Sequence, residues 1–163
     1  MELENRRENV FSHLNKLGIN YDLYNHEALP TIDIALGYWK DVDATHCKNL
    51  FFRNHKGNKH YLVILECHKE MNIRALELQL KQGKLSFASP ERLMKYLGTT
   101  PGSVSLFSLV NDANCMVKLY LDKDLLDAEY LTFHPNDNTA SLRISKSDML
   151  LFLDDWGGEW ETI

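Results

Sequence analysis

CKNLFFRNHKGNKHYLVILE, residues 47–66, holds two apolar, strand-forming runs, CKNLFFRN and KHYLVILE, around a turn containing Gly57. This is the pattern of a β-hairpin, with Lys48 near its start. A hairpin with two such apolar strands needs further strands and helices to cover it, and the flanking sequence offers both. Upstream, Val10, Phe11, Leu14 and Leu17 recur at helical spacing from Leu3 to Leu17, with Gly18 where a helix would stop. Ile19–Tyr24 alternates like a strand, and TIDIALGYW opens a short helix at Thr31. Downstream, Asn72 caps a helix running through Leu76 and Leu80 to a stop near Gly83, and Ser89-Pro90 opens another that ends before Gly98. VSLFSLV, CMVKLYL, YLTFH and TASLRIS read as four more strands. Ser145 and Asp148 have capping-box spacing, which predicts a C-terminal helix closing the domain before Gly157 and Gly158. Helices and strands in this mixed order imply an α+β fold: a mixed sheet with helices packed around it, one domain over residues 1–163.

The 163 residues are 44% hydrophobic and 25% charged, which excludes a disordered chain. The charged start MELENRRENV has no apolar stretch behind it and no window reaches a membrane span, so a cytoplasmic protein is expected. Cys47, Cys67 and Cys115 are odd in number and widely spaced, which suggests reduced thiols and neither a disulfide framework nor a paired-cysteine zinc site. A net charge of -5 argues against nonspecific coating of nucleic acid. A local patch remains open, and Lys81, Lys84, Arg92 and Lys95 are close enough in sequence to form one.

No serine elbow, phosphate-binding glycine loop or metalloprotease helix is present. His46 lies beside Cys47, but neighbours in a strand face opposite ways and the other histidines are scattered, so no metal is expected. His55 and His60 flank the hairpin turn and read as solvent-exposed. Three local features could carry chemistry: Lys48-Asn49 entering a strand; GTTPGSVSLFSL, where Gly98, Pro101 and Gly102 make an irregular loop whose amides could face an anion; and FHPNDNTASL, where His134 ends a strand and Asn136 and Asn138 shape a turn. Each also has an ordinary structural explanation as a solubilising lysine, a plain connection and a stabilised turn.

In this order, CKNLFF, YLVIL, LSFASPERLMKYLG, TPGSVSLFSLVND and LTFHPNDNTASLRIS resemble the bacterial prolyl-tRNA editing proteins over residues 47–153, with NHEALPTID a looser match upstream. These belong to a superfamily with the YbaK-type deacylases and the insertion domain of bacterial prolyl-tRNA synthetase, and the chain looks most like the alanyl-tRNA(Pro) deacylases. The resemblance implies hydrolysis in trans of the ester on mischarged tRNA(Pro), without a cofactor or metal. Lys48 takes the family's essential lysine position, and amides near Gly102 and Ser103 would meet the developing negative charge. Asn49, Val104, His134 and Asn138 would contact the substrate, with His134 ordering the pocket. The free ribose hydroxyl of the terminal adenosine would help activate water. The implied partners are the tRNA(Pro) acceptor end and a prolyl-tRNA synthetase. One position departs: Leu106 stands where the family has proline, four residues after the loop glycine. Removal of cysteine or serine, or a noncatalytic tRNA-binding module of the same fold, are the alternatives.

Overall fold

The computed structural model describes residues 3–28 and 32–163. Helices α1 (Leu3–Lys16), α2 (Ile32–Trp39), α3 (Ile73–Leu80), α4 (Pro90–Leu97) and α5 (Lys146–Trp156) surround one mixed sheet. Its strands are β1 (Asp22–Asn25), β2 (Thr45–Arg53), β3 (His60–Glu66), β4 (Ser86–Phe87), β5 (Val117–Leu121), β6 (Tyr130–Phe133), β7 (Ala140–Ser145) and β8 (Trp160–Thr162). The order is β1-β7-β6-β2-β3-β5-β8, with β4 added to the far end of β2.

The expected hairpin sits at the centre, in register from Cys47 opposite Glu66 to Arg53 opposite His60. Its turn is held by the fully buried Asn54, whose Oδ1 accepts the amides of Asn58 and Lys59 at 3.0 Å. β3 is covered on both faces, which explains its unbroken apolar run. Leu62 and Ile64 join a large core with Val10 and Leu14 of α1, Leu93 and Leu97 of α4, and Phe107 and Phe152. Tyr61, Val63 and Leu65 face a smaller cluster with Phe52, Tyr120 and Leu76 of α3.

Local capping signals act where they stand. The side chains of Asn72, Ser89 and Ser145 accept the amides of Ala75, Arg92 and Asp148, and Gly98 and Gly157 end their helices in the left-handed conformation. α3 stops before Gly83, at Leu80, because Lys81 itself turns left-handed at φ 54°. The Thr31 helix start lies outside the described residues.

Three expectations are corrected. Strand β1 runs over Asp22–Asn25 and not the predicted Ile19–Tyr24, because Ile19 is drawn into the core instead. VSLFSLV is not a strand: Leu106–Asn111 forms a 3-10 helix. Ser105 and Ser108 bond each other's backbone amides there, and Leu106 to Leu109 are all buried, so the run is apolar through burial on every side. Finally, α5 does not close the domain, since β8 follows it and pairs in parallel with β5, Leu119 opposite Trp160.

Candidate active site

Parallel strands β2 and β6 pair only through Thr45–Leu131 and His46–Thr132. Beyond that point β2 continues against β3, while Phe133 and His134 diverge from it, leaving a recess between the two strands. Trp39, Cys47, Asn49, Thr132, His134 and Ser141 are among its walls. Its free volume is about 10 Å³, room for roughly one water-sized group. Two wall atoms, Asn49 Oδ1 and Trp39 Nε1, are buried without a hydrogen-bond partner among the described residues. One is an acceptor and the other a donor, and unpaired buried groups of this kind cost about 1–3 kcal/mol each.

Two histidines shape the recess. His46 stacks on Trp39 at 4.6 Å and its Nδ1 lies 2.6 Å from Thr132 Oγ1. Burial lowers its pKa, so it holds Trp39 as a neutral ring. His134 Nδ1 lies 2.6 Å from the Ala140 carbonyl. A carbonyl only accepts, so Nδ1 carries the proton and Nε2 keeps its lone pair. Burial lowers the His134 pKa too, with His26 adding to the effect.

Lys48 is half-buried on β2, on the face shared with His46 and opposite to the recess-lining Cys47 and Asn49, and its side chain has no ion pair or hydrogen bond among the described residues. Gly102 adopts φ +85°, which favours glycine, and the loop it bends is tied to the turn after His134: the Asn138 amide donates to Ser103 Oγ at 3.2 Å. The Ser103 amide, expected to be available to a substrate, instead donates to Thr100 O at 3.1 Å. This tight turn forces that bond, and the amides of Gly102 and Val104 are left without a partner among the described residues. Leu106 does not reach the recess. It is fully buried as the first residue of the 3-10 helix, a position where proline is also at home, and the Ser105–Ser108 box caps that helix.

Helix α1 clamps the same loops, a role with no signal in the sequence. Arg7 donates through Nε to Asp137, through Nη2 to Thr139 and through Nη1 to Asn25 at 2.9 Å, while Arg6 Nη1 donates to Thr100 Oγ1 at 3.1 Å. Buried Asn136, at φ 60°, accepts Ser108 Oγ at 2.7 Å and joins the 3-10 helix to this turn.

Of the expected basic patch, Lys81, Lys84 and Lys95 are exposed. Arg92 is not free: its Nη1 donates to Gly57 O at 2.8 Å and lies 2.9 Å from His60 Nε2. His60 is itself buried, between Phe51 and Tyr96, contrary to the exposure expected beside a turn, because α4 folds over the end of the hairpin. Arg53, Lys56 and Lys59 lie around the same turn, about five residues or roughly 17 Å along β2 from Lys48.

The aminoacyl-tRNA editing domain family model matches residues 26–152. The prolyl-tRNA editing protein ProX of Acetoanaerobium sticklandii is 36% identical over 147 residues, covering 88% of this chain and 87% of that one. Prolyl-tRNA synthetase associated domain-containing protein 1 of Mus musculus is 28% identical, over 93% of this chain and 91% of its own. A solved structure described as a candidate trans-editing enzyme for prolyl tRNA synthetase superposes with a TM-score of 0.74 at 20% identity, covering 99% of this chain and 98% of the other, which bears on the fold.

Proposed function

Since the chain belongs to the aminoacyl-tRNA editing domain family, we propose that it is a deacylase acting in trans on mischarged tRNA(Pro), with alanine as the amino acid removed. The observation that supports alanine is the recess beside Asn49 and His134, which has room for roughly one water-sized group and is narrow for a pyrrolidine ring. The likeness to a protein named for prolyl-tRNA editing supports tRNA(Pro) as carrier.

An aminoacyl ester is already activated, so its hydrolysis depends on holding the ester and stabilising the oxyanion more than on a strong nucleophile. In this reading the unpaired Lys48 ammonium holds the terminal nucleotide. The amides of Gly102 and Val104 receive the oxyanion, and Ser103 serves as the tie that fixes their loop against Asn138. Val104 and Asn138 border the ester. Water, helped by the free ribose hydroxyl, attacks the carbonyl. Exposed Lys81, Lys84 and Lys95 contact phosphates of the acceptor stem, and a prolyl-tRNA synthetase is the natural source of the mischarged substrate.

The test is deacylation of tRNA(Pro) charged separately with alanine, cysteine, serine and proline. Rapid release of alanine with proline spared is expected. Equal release of all four, or of none, overturns the reading.

A further inference from the structure

We propose that Glu66, Cys67 and His68, at the exit of β3, form a binding site for a soft divalent cation, Zn²⁺, that lies outside the recess. Cys67 Sγ is 3.3 Å from Glu66 Oε1 and 3.5 Å from His68 Nδ1, and those two atoms are 2.5 Å apart. Zinc bonds of about 2.3 Å to sulfur and 2.0 Å to nitrogen or oxygen give tetrahedral edges of roughly 3.5 and 3.3 Å. Two of the three edges therefore exist already. The third opens by less than 1 Å, roughly, when a metal replaces the proton that now holds the carboxylate and imidazole together.

The backbone carrying these donors is fixed independently of them. The Glu66 amide donates to Asp122 Oδ2 at 3.0 Å, the Cys67 amide to His46 O at 2.9 Å, and the Lys69 amide to Glu66 O at 3.0 Å. Glu66 Oε2 is committed to the His68 amide at 3.0 Å, which leaves Oε1 as the metal-facing oxygen. The site is open on one side: the His68 side chain is 67% exposed while Cys67 is buried, so a cation has an entry path and a fourth position for water. Thiolate, imidazole and carboxylate together select zinc over magnesium or calcium, and the two anionic donors balance its charge. Loading releases the thiol proton.

The experiment is a titration of the full chain with Co²⁺ as spectroscopic probe, followed by displacement with Zn²⁺. A thiolate-to-cobalt charge-transfer band that saturates at one equivalent and is lost on adding Zn²⁺ is expected. Cys67→Ser abolishes the band and Cys115→Ser retains it. His68→Gln, at an exposed position where folding is not at stake, weakens Zn²⁺ binding by at least about tenfold. Absence of a band in the wild type, its survival in Cys67→Ser, or unchanged affinity in His68→Gln overturns the site.

Discussion

Replacing Arg7 by alanine tests whether α1 holds the loops of the site. Arg7 contributes three side-chain hydrogen bonds, and its pair with Asp137 is 22% exposed on the arginine side and 6% on the aspartate side. Removing one partner of a fully buried pair costs about 3–5 kcal/mol. Arg7 is partly solvated, and Asp137 keeps the Thr139 amide at 3.0 Å and its hydroxyl at 2.8 Å. The loss is thus reduced to about 2 kcal/mol, or about 4–8 °C in Tm for a chain of this size. Burial alone would raise the Asp137 carboxyl, but hydrogen bonds from Thr139 and Arg7, with the charge of Arg7, outweigh it and leave the pKa below its usual range. A depressed carboxylate stabilises the fold above its unfolded pKa of about 3.9, and that contribution is lost as pH falls through the folded value. The deficit of Arg7→Ala should therefore be full at neutral pH and shrink below about pH 4. Arg7→Lys restores charge without the three-way fork and should recover part of it. Urea midpoints of the three proteins at pH 7 and pH 3 provide the measurement. A neutral-pH deficit under about 0.5 kcal/mol, or one that does not shrink in acid, refutes the clamp.

Lys48→Ala should abolish deacylation with less than about 1 kcal/mol change in stability, because no described residue pairs with its ammonium; near-native turnover in a folded variant removes Lys48 from the mechanism. Neutralising Lys81 and Lys84 together should weaken tRNA binding and flatten its salt slope by about 1–2 while leaving saturated turnover nearly unchanged. Arg92→Ala, in contrast, should lower Tm, since it frees Gly57 O and the end of the hairpin; a Tm equal to that of Lys95→Ala counts against this division of roles. Burial, then the charges of Arg92, Lys95 and Arg53, lowers the His60 pKa to about 4. Its neutral form is thus favoured on folding, and stability should decline as pH falls from about 6.5 to 4, with a shallower decline in His60→Gln by urea titration.

The elements that could be read from the sequence are those decided within a few residues. Asn72, Ser89 and Ser145 cap their helices by bonding amides three residues on. Gly98 and Gly157 end two of them by tolerating positive φ, and the two apolar strand-forming runs around Gly57 set a hairpin whose strands need only each other for register. The five ordered motifs from CKNLFF to LTFHPNDNTASLRIS were likewise sufficient to indicate the family. What required the tertiary structure was every feature whose partner is distant in sequence. An apolar run such as Leu106–Leu109 is equally compatible with a strand and with a 3-10 helix, and only enclosure by α1, α4 and α5 decides between them. β8 exists because β5 offers it an edge, and His60 is buried because α4 lies across it. The commitment of the Ser103 amide, the α1 clamp and the narrow recess between β2 and β6 depend on backbone directions set by the whole sheet. Local propensity determines where an element begins and ends, whereas burial and hydrogen-bond satisfaction are properties of the assembled chain and are not carried by any short segment of it.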